Sequence, residues 1–161
     1  MRLPDKTTAI EDALAGISDG ATVMIGGFGV PGTPFTLIHE LVRQGARNLT
    51  VIKNDANETD MGVDHLLASG QVARLITTHI GLNPRAIAQM NEGRLEVEFN
   101  AQGIQAERVR AGGAGLGGLL TDLAHDTELA HGQQRLEIDG KRYSPHTALP
   151  AVSAMLPPPR P

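Results

Sequence analysis

The chain has 161 residues, enough for one domain with a single sizeable core. Its 14 Lys and Arg against 18 Asp and Glu give a net charge of −4, and no basic cluster is interleaved with aromatics, which argues against nucleic acid as a partner. No apolar run reaches the roughly 18–20 residues of a membrane span, Met1–Lys6 has no apolar signal core, and the lack of cysteine excludes disulfides, iron–sulfur clusters and thiol catalysis; a cytoplasmic globular protein is expected.

In chain order, Thr8-Ala9-Ile10-Glu11 fits a capping box that opens a helix through Leu14, closed by Gly16. Ala21–Ile25 reads as a buried strand, followed by a glycine loop and a helix over Phe35–Arg43 that stops before Gly45. Leu49–Ile52 is the next strand, Met61–Ala68 a helix ended by Gly70, and Val72–Ile80 holds a third strand. Asn83-Pro84 pairs an N-cap with proline at the first helical position, and that helix ends at Gly93. Leu95–Phe99 alternates as a strand. Such alternation predicts an α/β fold, an open and mostly parallel sheet with helices on both faces.

The last third reads differently. Residues 112–118, with five glycines, predict a flexible loop, and Leu136–Tyr143 predicts a hairpin with Asp139-Gly140 at its tip. One domain is expected over residues 1–151 and a proline-rich tail over 152–161.

Chemistry concentrates at Gly26-Gly27-Phe28-Gly29-Val30-Pro31-Gly32, between a strand and a helix. There, backbone N–H groups and a helix N-terminus can meet an anion at the sheet's carboxyl edge. Gly27, Gly29 and Gly32 match G-x-G-x-x-G, and Asp55 follows the second strand where a dinucleotide fold holds a ribose, so a NAD-binding oxidoreductase module is one reading. Pro31 and Pro34 count against it, since each removes an N–H from the region that would cradle pyrophosphate.

The longer string Asp19–Pro34 resembles the first signature of the family I coenzyme A transferases, in the A (alpha) subunit of the acetate/acetoacetate and 3-oxoacid type. Leu49–Asp55, Thr78–Pro84, Leu95–Gly103 and Ala106–Gly115 fall in the family's order; the likeness is strong over residues 7–121 and loose over 132–151. The resemblance implies transfer of coenzyme A between an acyl-CoA and a small carboxylic acid. Coenzyme A is then a substrate, and no cofactor is bound permanently. In the family a glutamate in a Ser-Glu-Asn-Gly motif of the B (beta) subunit attacks the thioester. That motif is absent here, and Asn91-Glu92-Gly93 has similar letters in another order, so no catalytic residue is expected in this chain. The implied partner is a beta subunit in an α2β2 assembly. The implied binding residues are Gly26 to Gly32, Asn54 and Gln102, the last matching the glutamine of the family's Pro-Gln-Gly motif.

Other polar residues attract weaker readings. His79 reads as a strand-end hydrogen-bonding group; His39, His65, His125, His131 and His146 show no metal spacing, so no metal is expected. Glu96 and Glu98, with Glu107, Arg108 and Arg110, read as an interface or a solvated ion-pair cluster. The chain departs from the family at Ala101, usually Pro, at Ile104, usually Thr, and at Asp122–Asp126, where a glycine-containing loop is usual. Family subunits continue past the proline tail, so late strands are expected to be missing, and a truncated, non-catalytic binding paralogue is the remaining alternative.

Overall fold

The computed structural model describes residues 7–124, 127–130, 132 and 134–156. Three largely apolar runs and one alternating segment form parallel strands, β1 (Thr22–Ile25), β2 (Leu49–Ile52), β3 (Val72–Thr77) and β4 (Glu96–Phe99). Short antiparallel strands follow, β5 (Gly118–Thr121), β6 (Leu136–Ile138) and β7 (Lys141–Thr147), and then β8 (Ser153–Met155). The main sheet runs β4-β3-β2-β1-β8 with every pairing parallel, and a second sheet runs β5-β7-β6.

Period-two alternation sorts the main sheet's side chains onto two faces. Val23, Ile25, Val51 and Leu75 enter the larger core with residues of α2 (Phe35–Gln44), α3 (Val63–Ala68) and α4 (Pro84–Asn91), beside the short α1 (Ile10–Leu14). Met24, Ile52 and Ile76 turn the other way, onto Val109 of α5 (Gln102–Gly113) and Leu149. Helices therefore cover both faces, as the α/β reading requires. No helix among the described residues is long and apolar enough to cross a membrane.

The predicted caps divide. Asn83 accepts from the Ala86 amide at 2.8 Å, and Gly45 closes α2 in the left-handed region at φ 79°. The capping box at Thr8 and Glu11 does not form: α1 starts at Ile10 behind Ala9, with no side-chain cap. The third helix begins at Val63 rather than Met61.

Two expectations for the last third need correction, and a third is extended. Gly112 and Gly113 are the last turn of α5, and Gly118 opens β5, so residues 112–118 are not one flexible loop. The hairpin over 136–143 exists, with Asp139 and Gly140 both at positive φ (51° and 74°). β7 runs on to Thr147 and pairs with β5, which makes the hairpin part of a sheet. The tail expected from residue 152 loses its start to the main sheet, where Ser153–Met155 pairs with Val23–Ile25. Met1–Lys6, His125, Asp126, His131 and Pro157–Pro161 lie outside the described residues.

Candidate functional site

β1 and β2 end side by side, and the residues after each strand share one polar network. The Gly29 amide donates to Asp55 Oδ2 at 2.7 Å, the Asn57 amide to Asp55 Oδ1 at 2.7 Å, and Asn54 Nδ2 to Asp55 Oδ2 at 3.2 Å. The Gly29 carbonyl accepts from Thr33 Oγ1 at 2.7 Å and Asn57 Nδ2 at 2.8 Å. Asn57 in turn accepts from the Val63 amide at the start of α3 (3.0 Å). Lys53, with its side chain fully buried, points its ammonium at Asp55 (3.3 Å) and at the Gly29 carbonyl (3.4 Å).

These contacts set the charges. Burial drives the Lys53 amine below its usual pKa, and Asp55 opposes that shift. Burial also pushes the Asp55 carboxyl upward. The Gly29 amide, the Lys53 charge, the Asn57 amide and the Asn54 side chain together outweigh it and hold the group below the usual carboxylate range. Asp55 is thus committed on both oxygens to its own chain, which leaves the ribose role of the dinucleotide reading without its acid.

The glycine loop also differs from the free cradle expected of it. Gly26 donates to Met155, Phe28 to the Pro31 carbonyl and Gly29 to Asp55. Gly27 sits at φ 101°, and a Cβ there would stand 2.6 Å from the Thr33 amide nitrogen and 2.8 Å from the Gly32 carbonyl carbon. Glycine at position 27 is therefore required by the loop's own closure. Phe28 is 68% exposed at the loop's surface.

A cleft of about 150 Å³ lies where β1, β2 and α5 meet. Three of the expected binding residues line it, Gly26, Asn54 and Gln102. Gly27, Phe28, Gly29, Val30, Pro31 and Gly32 do not; they curl away over Asp55 and Asn57. Gln102 is the first residue of α5, and Ala101 before it caps nothing with its side chain. The first-turn N–H groups of α5 thus start at the cleft's mouth, where an anion is favoured.

Sequence reasoning missed Lys53 and Gln105, which also line this cleft. Gln105 Nε2 donates to the Lys53 carbonyl at 3.0 Å. The spacing of Gln102 and Gln105, three apart on one helix face, was the available signal. Part of the charged cluster is an ion-pair network, joined by Arg74, which the sequence reading did not include: Arg74 reaches Glu96 at 3.2 Å and Glu98 at 2.6 Å, while Glu107 and Arg110 form a separate pair. Arg108, buried, holds Glu98, Asn100 and the Thr147 carbonyl, tying α5 to both sheets. Burial pushes the Glu98 carboxyl up, but the Arg108 bond and charge prevail and keep it low.

The cleft between Gly26 and the start of α5 lies at the carboxyl edge of the parallel sheet, the place where open α/β folds commonly carry their ligand sites. The family is settled by comparison: the coenzyme A transferase model matches residues 7–157. The chain belongs to the coenzyme A transferase family. It is similar to a Bacillus subtilis (strain 168) protein named "Probable coenzyme A transferase subunit alpha", 45% identical over 94% of this chain and 66% of the relative. It is also similar to the acetate CoA-transferase subunit alpha of Escherichia coli (strain K12), 39% identical over 94% of this chain and 69% of that subunit. The chain thus spans about two thirds of these relatives' length.

Among solved structures, the decarboxylase AibA/AibB superposes with a TM-score of 0.79 at 27% identity, covering 92% of this chain and 60% of that one. Glutaconate coenzyme A-transferase from Acidaminococcus fermentans gives 0.81 at 18% identity, over 94% and 56%. One fold serving a decarboxylase and a transferase means that the reaction must be argued from the site.

Proposed function

We propose that this chain is the alpha half of a CoA transferase that moves coenzyme A between an acyl-CoA and a small carboxylic acid such as acetate or a 3-oxoacid, in the cytoplasm. The nucleophilic glutamate comes from a beta subunit, in an α2β2 assembly. The observation that carries the reading is the meeting of Gly26, Asn54 and Gln102 in one cleft. Gly26 and Gln102 were named from the family's motifs and Asn54 from its place after the second strand, and they lie far apart in the sequence.

The chemistry is consistent with half a site. The Gln102 amide and the uncapped start of α5 suit a carboxylate or thioester oxygen without adding charge. Gly27 to Gly32 support the reading less directly: they form a rigid rim whose exposed Phe28 is available to a ligand or the partner subunit. None of the described residues that line the cleft is a carboxylate, which supports a nucleophile supplied by the partner.

The test is mass spectrometry after incubation with acetoacetyl-CoA and borohydride reduction. The chain alone should transfer no CoA and carry no reduced glutamyl residue. Mixed with a beta subunit bearing Ser-Glu-Asn-Gly, it should exchange CoA with acetate, and the adduct should map to the partner. An adduct on this polypeptide would place the nucleophile here and overturn the division of labour.

A further inference from the structure

The second sheet shows one of its faces to solvent, and strand register says which side chains lie on it. Leu120 of β5 pairs with Pro145 of β7, and Leu136 and Ile138 of β6 pair with Tyr143 and Lys141 of β7. Paired residues point the same way and neighbours along a strand point opposite ways, so Leu120, Leu136, Ile138, Tyr143 and Pro145 share one face. The opposite face is the covered one: it carries Ser144, 1% exposed, and α5 packs against both β5 and β7. Leu120, Leu136 and Ile138 are each between 36% and 45% exposed. An antiparallel sheet normally turns polar residues to water, and this one turns apolar residues.

The face leads to the cleft. α5 ends at Gly113 and β5 starts at Gly118, and the chain then runs back along the helix. Two residues past β5, Leu123 reaches the first turn of α5: its Cδ1 lies 3.4 Å from where a Cβ on Gly103 would stand. Gly103 follows Gln102, which lines the cleft, and Leu123 itself is 51% exposed. Asp122 pairs with Lys141 at 2.5 Å, and the Lys141 ammonium sits 5.4 Å from the Tyr143 ring centroid, so the turn carrying Leu123 is tied to β7. Apolar surface thus extends from the sheet face to the edge of the cleft mouth.

We propose that the exposed face of β5-β7-β6, continued by Leu123, is the docking surface of the beta subunit, which covers it with an apolar patch of its own and so brings its carboxylate over Gln102. The inference rests on the CoA-transfer reading and gives that assembly its place on this chain. Area selects the occupant. The exposed parts of Leu120, Leu123, Leu136 and Ile138 come to roughly 300 Å², the scale of a functional patch on a monomer. A stable interface covers about 800 Å² on each partner. A second copy confined to the sheet face falls short of that, whereas a partner that continues past Leu123 gains the cleft mouth. None of the described residues lining the cleft is a carboxylate, so CoA transfer needs another chain at that point.

The experiment measures binding of the full chain to its beta subunit by calorimetry, without substrate. Leu120→Asp and Ile138→Asp each put a carboxylate into the covered face and should raise Kd by about tenfold or more. Val152→Asp, an exposed apolar residue before β8 at the amino end of the main sheet, should leave Kd within about twofold. Amide hydrogen exchange of the unaltered complex needs no variant to fold: residues 118–123, 136–138 and the first turn of α5 should gain protection together. Unchanged Kd in both sheet variants, an equal loss in Val152→Asp, or no added protection on the second sheet overturns the proposal. So does a dimer of the chain alone that Leu120→Asp breaks while beta binding stays intact, which would give the face to a second copy. Failure of the unaltered chain to bind any beta subunit is a different result, since it removes the alpha-subunit reading and the docking surface with it.

Discussion

The two walls of the cleft are built on opposite principles. On the side of the glycine loop every strong polar group is answered within the chain: Asp55 takes three N–H donors and an ammonium, and the Gly29 carbonyl takes a hydroxyl, an amide and the same ammonium. On the side of α5 the accounting stays open, with an unmatched oxygen at Gln105 and an uncapped helix start at Gln102. A wall that satisfies itself holds its shape; a wall with unmatched acceptors and N–H groups has work left for a ligand. Changes on the first wall should therefore act through stability, and changes on the second through substrate.

The largest effect is expected at the buried pair. Asp55→Ala strands the Lys53 ammonium and frees the Gly29 and Asn57 amides, and should cost about 3–5 kcal/mol in urea unfolding. Lys53→Met should cost less, because Asp55 keeps its three N–H donors. The pH dependence follows from the depressed Asp55 pKa. Its contribution is fully present above the unfolded value near 3.9 and is lost as pH falls through the lower folded value. The gap between the native chain and Asp55→Ala should accordingly narrow below about pH 4. Equal losses for the two substitutions, or a pH-independent gap, would show that the pair does not hold the loop.

A smaller loss is expected at the loop's closure. Gly27→Val places a β-branched side chain at positive φ against the Thr33 amide and the Gly32 carbonyl carbon. The cost should be about 2–3 kcal/mol, with helix content by circular dichroism nearly intact and turnover of the reconstituted complex falling only as far as the folded fraction does. Wild-type stability in this variant would mean that the loop relaxes freely and that the contrast between the walls is overdrawn.

The parallel half of the fold was legible because its apolar runs are short, punctuated by glycine and spaced by helices with real caps at Asn83 and Gly45. α5 was not. Its buried positions are Ile104, Gln105, Arg108 and Ala111, so half of the inward face is polar and no apolar stripe marks a helix. Its glycines at 112 and 113 read as loop, yet they end the helix where it passes closely over the Leu149 backbone. Lys53 was invisible for a related reason: a lysine just past a strand reads as solvated, and only the fold brings Asp55 and Gly29 around it. β8 looked like tail because three residues before a proline run carry no period. Its place beside β1 is a long-range pairing. Gly26 and Gln102 were reachable through family motifs and Asn54 through its place after a strand, while the unmatched oxygens of Asn54 and Gln105 needed hydrogen-bond geometry.

The smallest change in stability and the clearest change in function should come from the same residue, Gln102. It is exposed at the first position of α5, so Gln102→Ala removes no buried group and should alter unfolding by less than about 0.5 kcal/mol. Alanine is also the stronger helix former, so α5 should start where it does now. Turnover is another matter. An amide at the cleft mouth that holds the reacting carboxylate through one oriented hydrogen bond contributes roughly tenfold to a hundredfold in rate. The first-turn N–H groups of α5 would remain, which is why the loss should stop there rather than abolish the reaction. The measurement pairs urea unfolding of the variant chain with kcat/KM of the reconstituted complex for several carboxylates. If kcat/KM is unchanged for all of them while stability falls, Gln102 belongs with the self-satisfied wall, and the division between the two sides of the cleft would have to be redrawn.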